Sequence, residues 1–288
     1  MENFDEPRKN KMKDDEIIDE FTGFSMPSAS NFDIFKLFSL KYRTTIITGA
    51  AQGIGRVAAI TCGKAGSKIA ITDKDYKAAK KLEQELIEAN IEAKAWELDV
   101  TSENNIIKVF TDIETIFGSM DILINNAGTA NRNPAEEMKT EDFENIIKLN
   151  LTSAFICCRT VSKYMLKNKK GSIINISSIM GVTGGGPAPN SPYHASKGGL
   201  VNLTRSLANE WGPRGVRVNS IGPTYTKTRL VKELSANKEK LNHIIERTPL
   251  RRLAEVSEMA GGILYLASDA SSIVTGHTLM LDGGWSAI

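Results

Sequence analysis

The chain is poor in the residues that build covalent or metal frameworks. It holds three cysteines in 288 residues, Cys62, Cys157 and Cys158. An odd count with one adjacent pair is no disulfide lattice. The sulfurs read instead as small buried apolar groups in a reducing compartment. There are three histidines, His194, His243 and His277, and none has a partner at metal-ligand spacing, so no zinc is expected. An excess of one charge is also lacking: 36 Lys+Arg against 34 Asp+Glu leave +2, which gives no electrostatic footing for nucleic acid. No stretch approaches the roughly 20 apolar residues of a membrane span. The opening MENFDEPRKNKMKDDE is mixed-charge and has no apolar core of a signal peptide. A cytoplasmic protein with no membrane partner is expected.

What remains is the composition of an ordinary globular protein, 41% hydrophobic and 24% charged. Residues 1–40 differ from the rest: nine acidic and five basic side chains give −4, leaving +6 for 41–288. Residues 1–40 read as an extension, with about the first 25 as flexible tail. FDIFKLFSL at 32–40 is too apolar to be free tail. From Arg43 the pattern becomes regular. Strand-like runs TTIIT (44–48), SKIAIT (67–72), EAKAWELDV (92–100), DILINNAG (121–128), GSIINISS (171–178), GVRVNSI (215–221) and TLMLDGG (278–284) alternate with helical stretches. One long helix is expected at about 141–167 and another at about 191–211. Strands with apolar cores, each followed by a helix, predict one α/β domain over 41–288, with a seven-stranded parallel sheet covered by helices on both faces. Ligands of such sheets bind at the carboxyl ends of the strands, and that is where the motifs fall.

Thr48-Gly49-Ala50-Ala51-Gln52-Gly53-Ile54-Gly55 turns the first regular strand into a helix. Glycines there let a pyrophosphate approach the N–H groups and dipole of the helix N-terminus. The spacing is G-x-x-x-G-x-G, not the commoner G-x-G-x-x-G. Asp73 ends the second of these strands, where a carboxylate accepts from ribose hydroxyls and repels a 2′-phosphate; capping a helix is its plainer role. With Gln52 rather than a basic residue in the loop, NAD is favoured over NADP. Asp99 and Val100 end the third strand beside an expected adenine. Asn126, Ala127 and Gly128 end the fourth and let the backbone run along the cofactor, with Asn126 equally suited to tying strands together.

These stretches, with Asn150 in KLNLTSAF, Ser178 in INISSIMG, YHASK at 193–197, VNSIGPTYTKT at 218–228 and TGHTLMLDGG at 275–284, resemble the short-chain dehydrogenase/reductase family. The motifs stand in the family's order over about residues 42–288. The resemblance implies a single doubly wound Rossmann domain, usually a homotetramer, and hydride transfer between nicotinamide and a carbonyl/alcohol pair. It places the catalytic tetrad on Asn150, Ser178, Tyr193 and Lys197, and adds Tyr193, Lys197, Pro223, Thr224 and Thr228 to the cofactor site. Asn150 in this family breaks its helix and holds a water that relays a proton to Lys197. Two departures stand out. Thr224 follows Pro223 where the family usually has Gly, and the nearby family threonine matches Thr226 or Thr228, with Thr228 preferred. The loop from Ser178 to Tyr193 is long, 15 residues, which is similar to polyol and sugar dehydrogenases of the family. Their Gln-Pro-Gln is only partly matched by Pro187-Ala188-Pro189.

The residues carry their own chemistry. A tyrosine is too weak an acid to serve as base unless a cation favours its phenolate. Tyr193 and Lys197 stand at i and i+4, on one helix face. Ser178 suits charge developing on a substrate oxygen. Asn150 sits mid-helix, where its amide needs a partner. The charged segment at about 224–250 follows the sixth strand, where the resemblance implies a substrate lid, and Lys227, Arg229, Arg247, Arg251 and Arg252 make that end basic, most as solvated charges. The expected activity is NAD-dependent interconversion of a secondary alcohol and a ketone, on a polyol, sugar or sugar acid. The rival readings are a 3-oxoacyl thioester (acyl-carrier-protein) reductase, against which Asp73 argues, and a non-catalytic dinucleotide-binding scaffold, which the intact tetrad disfavours.

Overall fold

A computed structural model describes residues 16–18, 25–28 and 32–288. Most of the expected flexible tail lies outside the described residues. The chain separates into two compact units, 1–37 and 38–288. In the first, β1 (Glu16–Ile18) pairs antiparallel with β2 (Ser25–Pro27). The short helix α1 (Ile34–Phe38) follows, its first N–H groups held by the carboxylate of Asp33.

The second unit begins with Leu40, which is fully buried in its core, and whose N–H donates to the carbonyl of Ala65. Seven strands then form one parallel sheet. They are β3 (Thr44–Thr48), β4 (Lys68–Asp73), β5 (Ala93–Glu97), β6 (Ile122–Asn125), β7 (Gly171–Ile176), β8 (Val216–Pro223) and β9 (Thr278–Leu281). Their spatial order is β5-β4-β3-β6-β7-β8-β9, with every pair parallel. The order reverses between β3 and β6, which opens a crevice at their carboxyl ends.

The strands are β-branched and apolar on both faces because helices cover both. On one side α2 (Gly53–Lys64), α3 (Tyr76–Glu88) and α10 (Ala260–Ala267) pack on Ile47, Ile69, Ile71 and Ile124. On the other, α4 (Glu103–Phe117), α6 (Ser153–Lys167) and α7 (Ser191–Trp211) pack on Ile46, Leu123, Ile173 and Val218. Each fully buried Ile or Leu contributes about 1.5–3 kcal/mol. Cys157 and Cys158 lie in the second of these cores and Cys62 in the first, all as free thiols pushed up by burial.

Two elements differ from the sequence reading. The long helix expected at 141–167 is α5 (Thr140–Ile147) and α6 joined by a π-helical turn, Lys148–Thr152. The expected lid holds a 3₁₀ turn, Arg229–Val231, then α8 (Lys232–Ala236) and α9 (Lys238–Arg247). It is anchored by a third apolar cluster that joins Val231, Leu234 and Ile244 to Ile179, Met180, Tyr225 and Trp285. Among the described residues, no helix is long and apolar enough to cross a membrane.

Candidate active site

The carboxyl ends of β3 to β8 surround one cavity of about 390 Å³. Gly49, Gln52, Gly53, Ile54, Asp73, Asp99 and Val100 line one end; Ser178, Tyr193, Lys197, Pro223, Thr224 and Thr228 line the other, with Asn126, Ala127 and Gly128 between. Of the expected tetrad and cofactor residues, Gly55 and Asn150 alone do not line it.

At the first end the chain leaves β3 through Gly49 and Gly53, both left-handed at φ 62° and 56°, a region costly for other residues. Gln52 caps α2 without a side-chain hydrogen bond. The N–H groups of the first turn are therefore available to an anion, with the helix dipole behind them. Gly55 sits where a Cβ would overlap the carbonyl oxygen of Gly49, so its role is to let α2 pack against the loop.

Asp73 faces that loop. One carboxylate oxygen accepts from the Ala51 N–H at 2.9 Å and the other from the Asp75 N–H at 3.0 Å. Helix capping falls to Asp75, whose side chain accepts from Ala78. Asp99 accepts from the N–H and hydroxyl of Thr101, and these bonds hold its carboxyl below the usual range. Lys74 stands 3.7 Å from Asp99 and is otherwise exposed. Asn126 spends its side-chain amide on the carbonyls of Thr48 and Gly49, at 3.1 and 2.8 Å. It lines the cavity and also ties β6 to the turn after β3.

At the second end the two adjacent serines point apart, as strand alternation requires. Ser177 donates to the Lys197 carbonyl on α7, whereas Ser178 stands beside the phenol of Tyr193 and accepts from the Met180 N–H. Burial pushes the phenol above its ordinary range; the Ser178 hydroxyl and the charge of Arg132 oppose this. Lys197 is buried and donates to the Ile176 carbonyl at 2.7 Å. Its ammonium lies 5.6 Å from the centre of the Tyr193 ring, and burial lowers its pKa to about 8. The i, i+4 pairing expected from the sequence is present. Arg132 adds a second positive charge that reaches the phenol.

Asn150 lies in the π-helical turn, fully enclosed. Its amide donates to the Thr129 carbonyl at 2.8 Å and the Ser196 hydroxyl at 3.0 Å, and accepts from the Thr129 N–H at 3.0 Å. A mid-helix asparagine thus finds its partners by locally unwinding the helix. Between the two candidate threonines, Thr226 bonds its hydroxyl to the Thr224 carbonyl at 2.9 Å, while Thr228 lies against Gly53. The Thr224 hydroxyl is buried on the cavity wall and has no hydrogen-bond partner among the described residues.

These features fit a dinucleotide. An uncapped helix N-terminus faces one end, a fixed carboxylate flanks it, and an unpaired hydroxyl and a buried ammonium face the other. Sequence reasoning missed Arg132, which lines the cavity and donates to the Leu230 carbonyl at 2.8 Å, and Tyr225, whose phenol burial raises strongly. Both leave irregular segments that carry no periodic signal. The basic residues of the lid separate by role: Lys227 pairs with Glu255 and Arg252 with Glu258, both exposed, while Arg229 lines the cavity. Among the described residues, no group of His, Cys, Asp and Glu is placed to hold a metal.

Known proteins share this architecture. The family model described as enoyl-(acyl carrier protein) reductase matches residues 49–286. Gluconate 5-dehydrogenase of Gluconobacter oxydans is 33% identical over 249 residues, 86% of this chain and 96% of that one. 5-Keto-D-gluconate 5-reductase of Escherichia coli K12 is 36% identical over 248 residues, 86% and 97%. The crystal structure of a gluconate 5-dehydrogenase from Burkholderia cenocepacia in complex with NADP and tartrate superposes with a TM-score of 0.86 at 30% identity, covering 89% of this chain and all of that one. The order of motifs, the strand order and these matches over nearly the whole second unit lead to one conclusion: the chain belongs to the short-chain dehydrogenase/reductase family and is an oxidoreductase of CH–OH groups.

Proposed function

We propose that the enzyme interconverts a sugar acid and its keto form, with NAD(H) preferred. The observation that carries the substrate class is Arg132. Its charge reaches both Tyr193 and Tyr225 on the cavity wall, so a polyhydroxy carboxylate finds a cation beside the reacting groups. The names of the relatives support the same class.

The bound nicotinamide supplies or accepts the hydride. The protein's residues do the rest. Ser178 holds the substrate oxygen and stabilises charge developing there. Tyr193 takes the hydroxyl proton in oxidation and returns it in reduction. Lys197, cationic below its pKa of about 8, favours the phenolate and is placed to hold the nicotinamide ribose. Asn150 fixes Ser196 and Thr129 around the base of α7, a position suited to the water relay.

The reading is tested by assaying sugar acids, polyols and their keto forms through NADH absorbance. Reduction of 5-keto-D-gluconate is the expected result, and turnover confined to acyl thioesters would sink it. Only the base form of Tyr193 removes a proton, and burial keeps that form scarce at neutral pH. Alcohol oxidation is therefore expected to accelerate from pH 6 to 8, where Lys197 keeps its charge, while ketone reduction, which uses the protonated phenol, stays nearly level over the same interval. A parallel dependence in both directions would show that another group titrates.

The preference for NAD rests on Asp73. Its carboxylate is pinned between two backbone N–H groups at the end of β4, where it would repel a 2′-phosphate. Asp73→Ala is expected to weaken NADH binding about tenfold and to improve NADPH relative to NADH by on the order of 10²-fold. An unchanged ratio of the two dissociation constants would remove Asp73 from cofactor selection.

A further inference from the structure

Arg247, the last residue of α9, lays its guanidinium on the indole of Trp285, 4.7 Å from the ring centre. Trp285 is fully buried and meets Tyr225 edge-on, with ring centres 5.2 Å apart. Gly185 and Gly186 run directly against this stack. A Cβ at Gly185 would overlap the Arg247 guanidinium, and a Cβ at Gly186 would stand 2.9 Å from the Tyr225 hydroxyl and 3.0 Å from Met180 Cε. The chain then stiffens through Pro187, Pro189 and Pro192 before reaching Tyr193. Pro187, Ala188 and Tyr225 all line the catalytic cavity.

Three glycines leave this part of the loop with the greatest backbone freedom of any tripeptide. Where they pass the stack that freedom is removed, because the backbone is seated between Arg247 and Tyr225. The proline-rich half carries the constraint on to the cavity wall. We propose that Arg247 and Trp285 form a brace that locks the loop of residues 184–190 against the lid and thereby sets which substrates the cavity admits. They are positioning residues and touch no reacting atom. The brace rests on the reading that the Tyr193 end of the cavity receives the substrate. A planar guanidinium matches an indole face in a way an ammonium does not, so stacking rather than charge is the active feature.

The test uses the full chain, with 5-keto-D-gluconate and NADH as probes. Gly185→Ala displaces the guanidinium and is expected to raise the KM for the keto acid about tenfold, with kcat and the NADH dissociation constant nearly unchanged. Arg247→Ala is expected to do the same. The double variant should be no worse than Arg247→Ala alone, since the new methyl then meets no guanidinium. Arg247→Lys should behave as Arg247→Ala does. A wild-type KM in Gly185→Ala, additive effects in the double variant, or a wild-type KM in Arg247→Lys would each overturn the brace. If the wild-type enzyme leaves 5-keto-D-gluconate untouched, the sugar-acid reading fails by itself. The same comparison of KM values then applies to the alcohol or ketone that is turned over.

Discussion

Tyr193→Phe is expected to lower kcat by on the order of 10³-fold in both directions while NADH binds as before. The substitution removes one oxygen and keeps the ring, which packs against the cluster of Ile179, Met180 and Tyr225. Ser178 still accepts from the Met180 N–H, so the loss in stability is at most about 1 kcal/mol. Lys197 keeps its bond to the Ile176 carbonyl, so the groups proposed to hold the nicotinamide ribose stay in place. Fluorescence titration with NADH separates binding from turnover. Adding Ser178→Ala to Tyr193→Phe should cost far less than Ser178→Ala costs alone, because the two hydroxyls act on one oxygen as a unit. Substantial residual turnover in Tyr193→Phe would mean that another group exchanges the proton. Loss of NADH binding would mean that the phenol has a structural role.

The geometry makes the phenol costly to ionise in this structure, and that feature has a functional sense. Burial raises Tyr193 and depresses Lys197. The same burial moves the two apart, so at neutral pH the pair rests as a phenol beside an ammonium, the protonated form that ketone reduction uses. Arg132 adds a second positive charge from outside α7. Its guanidinium is held by the Leu230 carbonyl, just before the lid helices.

What the sequence revealed about the site was whatever chemistry is local. TGAAQGIG shows its turn because glycine spacing alone dictates it. Tyr193 and Lys197 show their relation because four residues make one turn of helix. The seven strands were legible as apolar runs because a parallel sheet covered on both sides needs no polar face. Asn150 signalled trouble in its helix, but the π-turn that accommodates it was not legible, since it depends on Thr129 and Ser196 standing opposite. Arg132 was silent for the same reason: in a loop without period, nothing marks one arginine from the solvated ones. Arg247 looked like one more lid charge among five. Only the fold brings it to Trp285, 38 residues on in the chain. Long-range contacts of single side chains are what local pattern leaves out.

Gly55→Ala is expected to cost both stability and dinucleotide affinity, although Gly55 does not line the cavity. A Cβ there would overlap the carbonyl oxygen of Gly49, and would lie 2.6 Å from Asn126 Nδ2 and 3.0 Å from the Ala50 Cα. The first two atoms are themselves joined by a hydrogen bond of 2.8 Å, the one that ties β6 to the turn after β3. No flexible side-chain end is present to swing aside, so α2 must move off the loop or the bond must break. Overpacking of this kind costs about 1–3 kcal/mol, read as a lower thermal midpoint. The helix that retreats carries the N–H groups proposed to face the pyrophosphate. Each charge-assisted bond lost there is worth about 1.5–3 kcal/mol, so NADH affinity should fall at least about tenfold. Gly184→Ala is the control, because a Cβ at that exposed position meets nothing within 4 Å. Its NADH affinity and midpoint should match the wild type. If Gly55→Ala bound NADH as tightly as Gly184→Ala does, the turn between β3 and α2 would not be the seat of the pyrophosphate, and the orientation proposed for the dinucleotide across the sheet would be wrong.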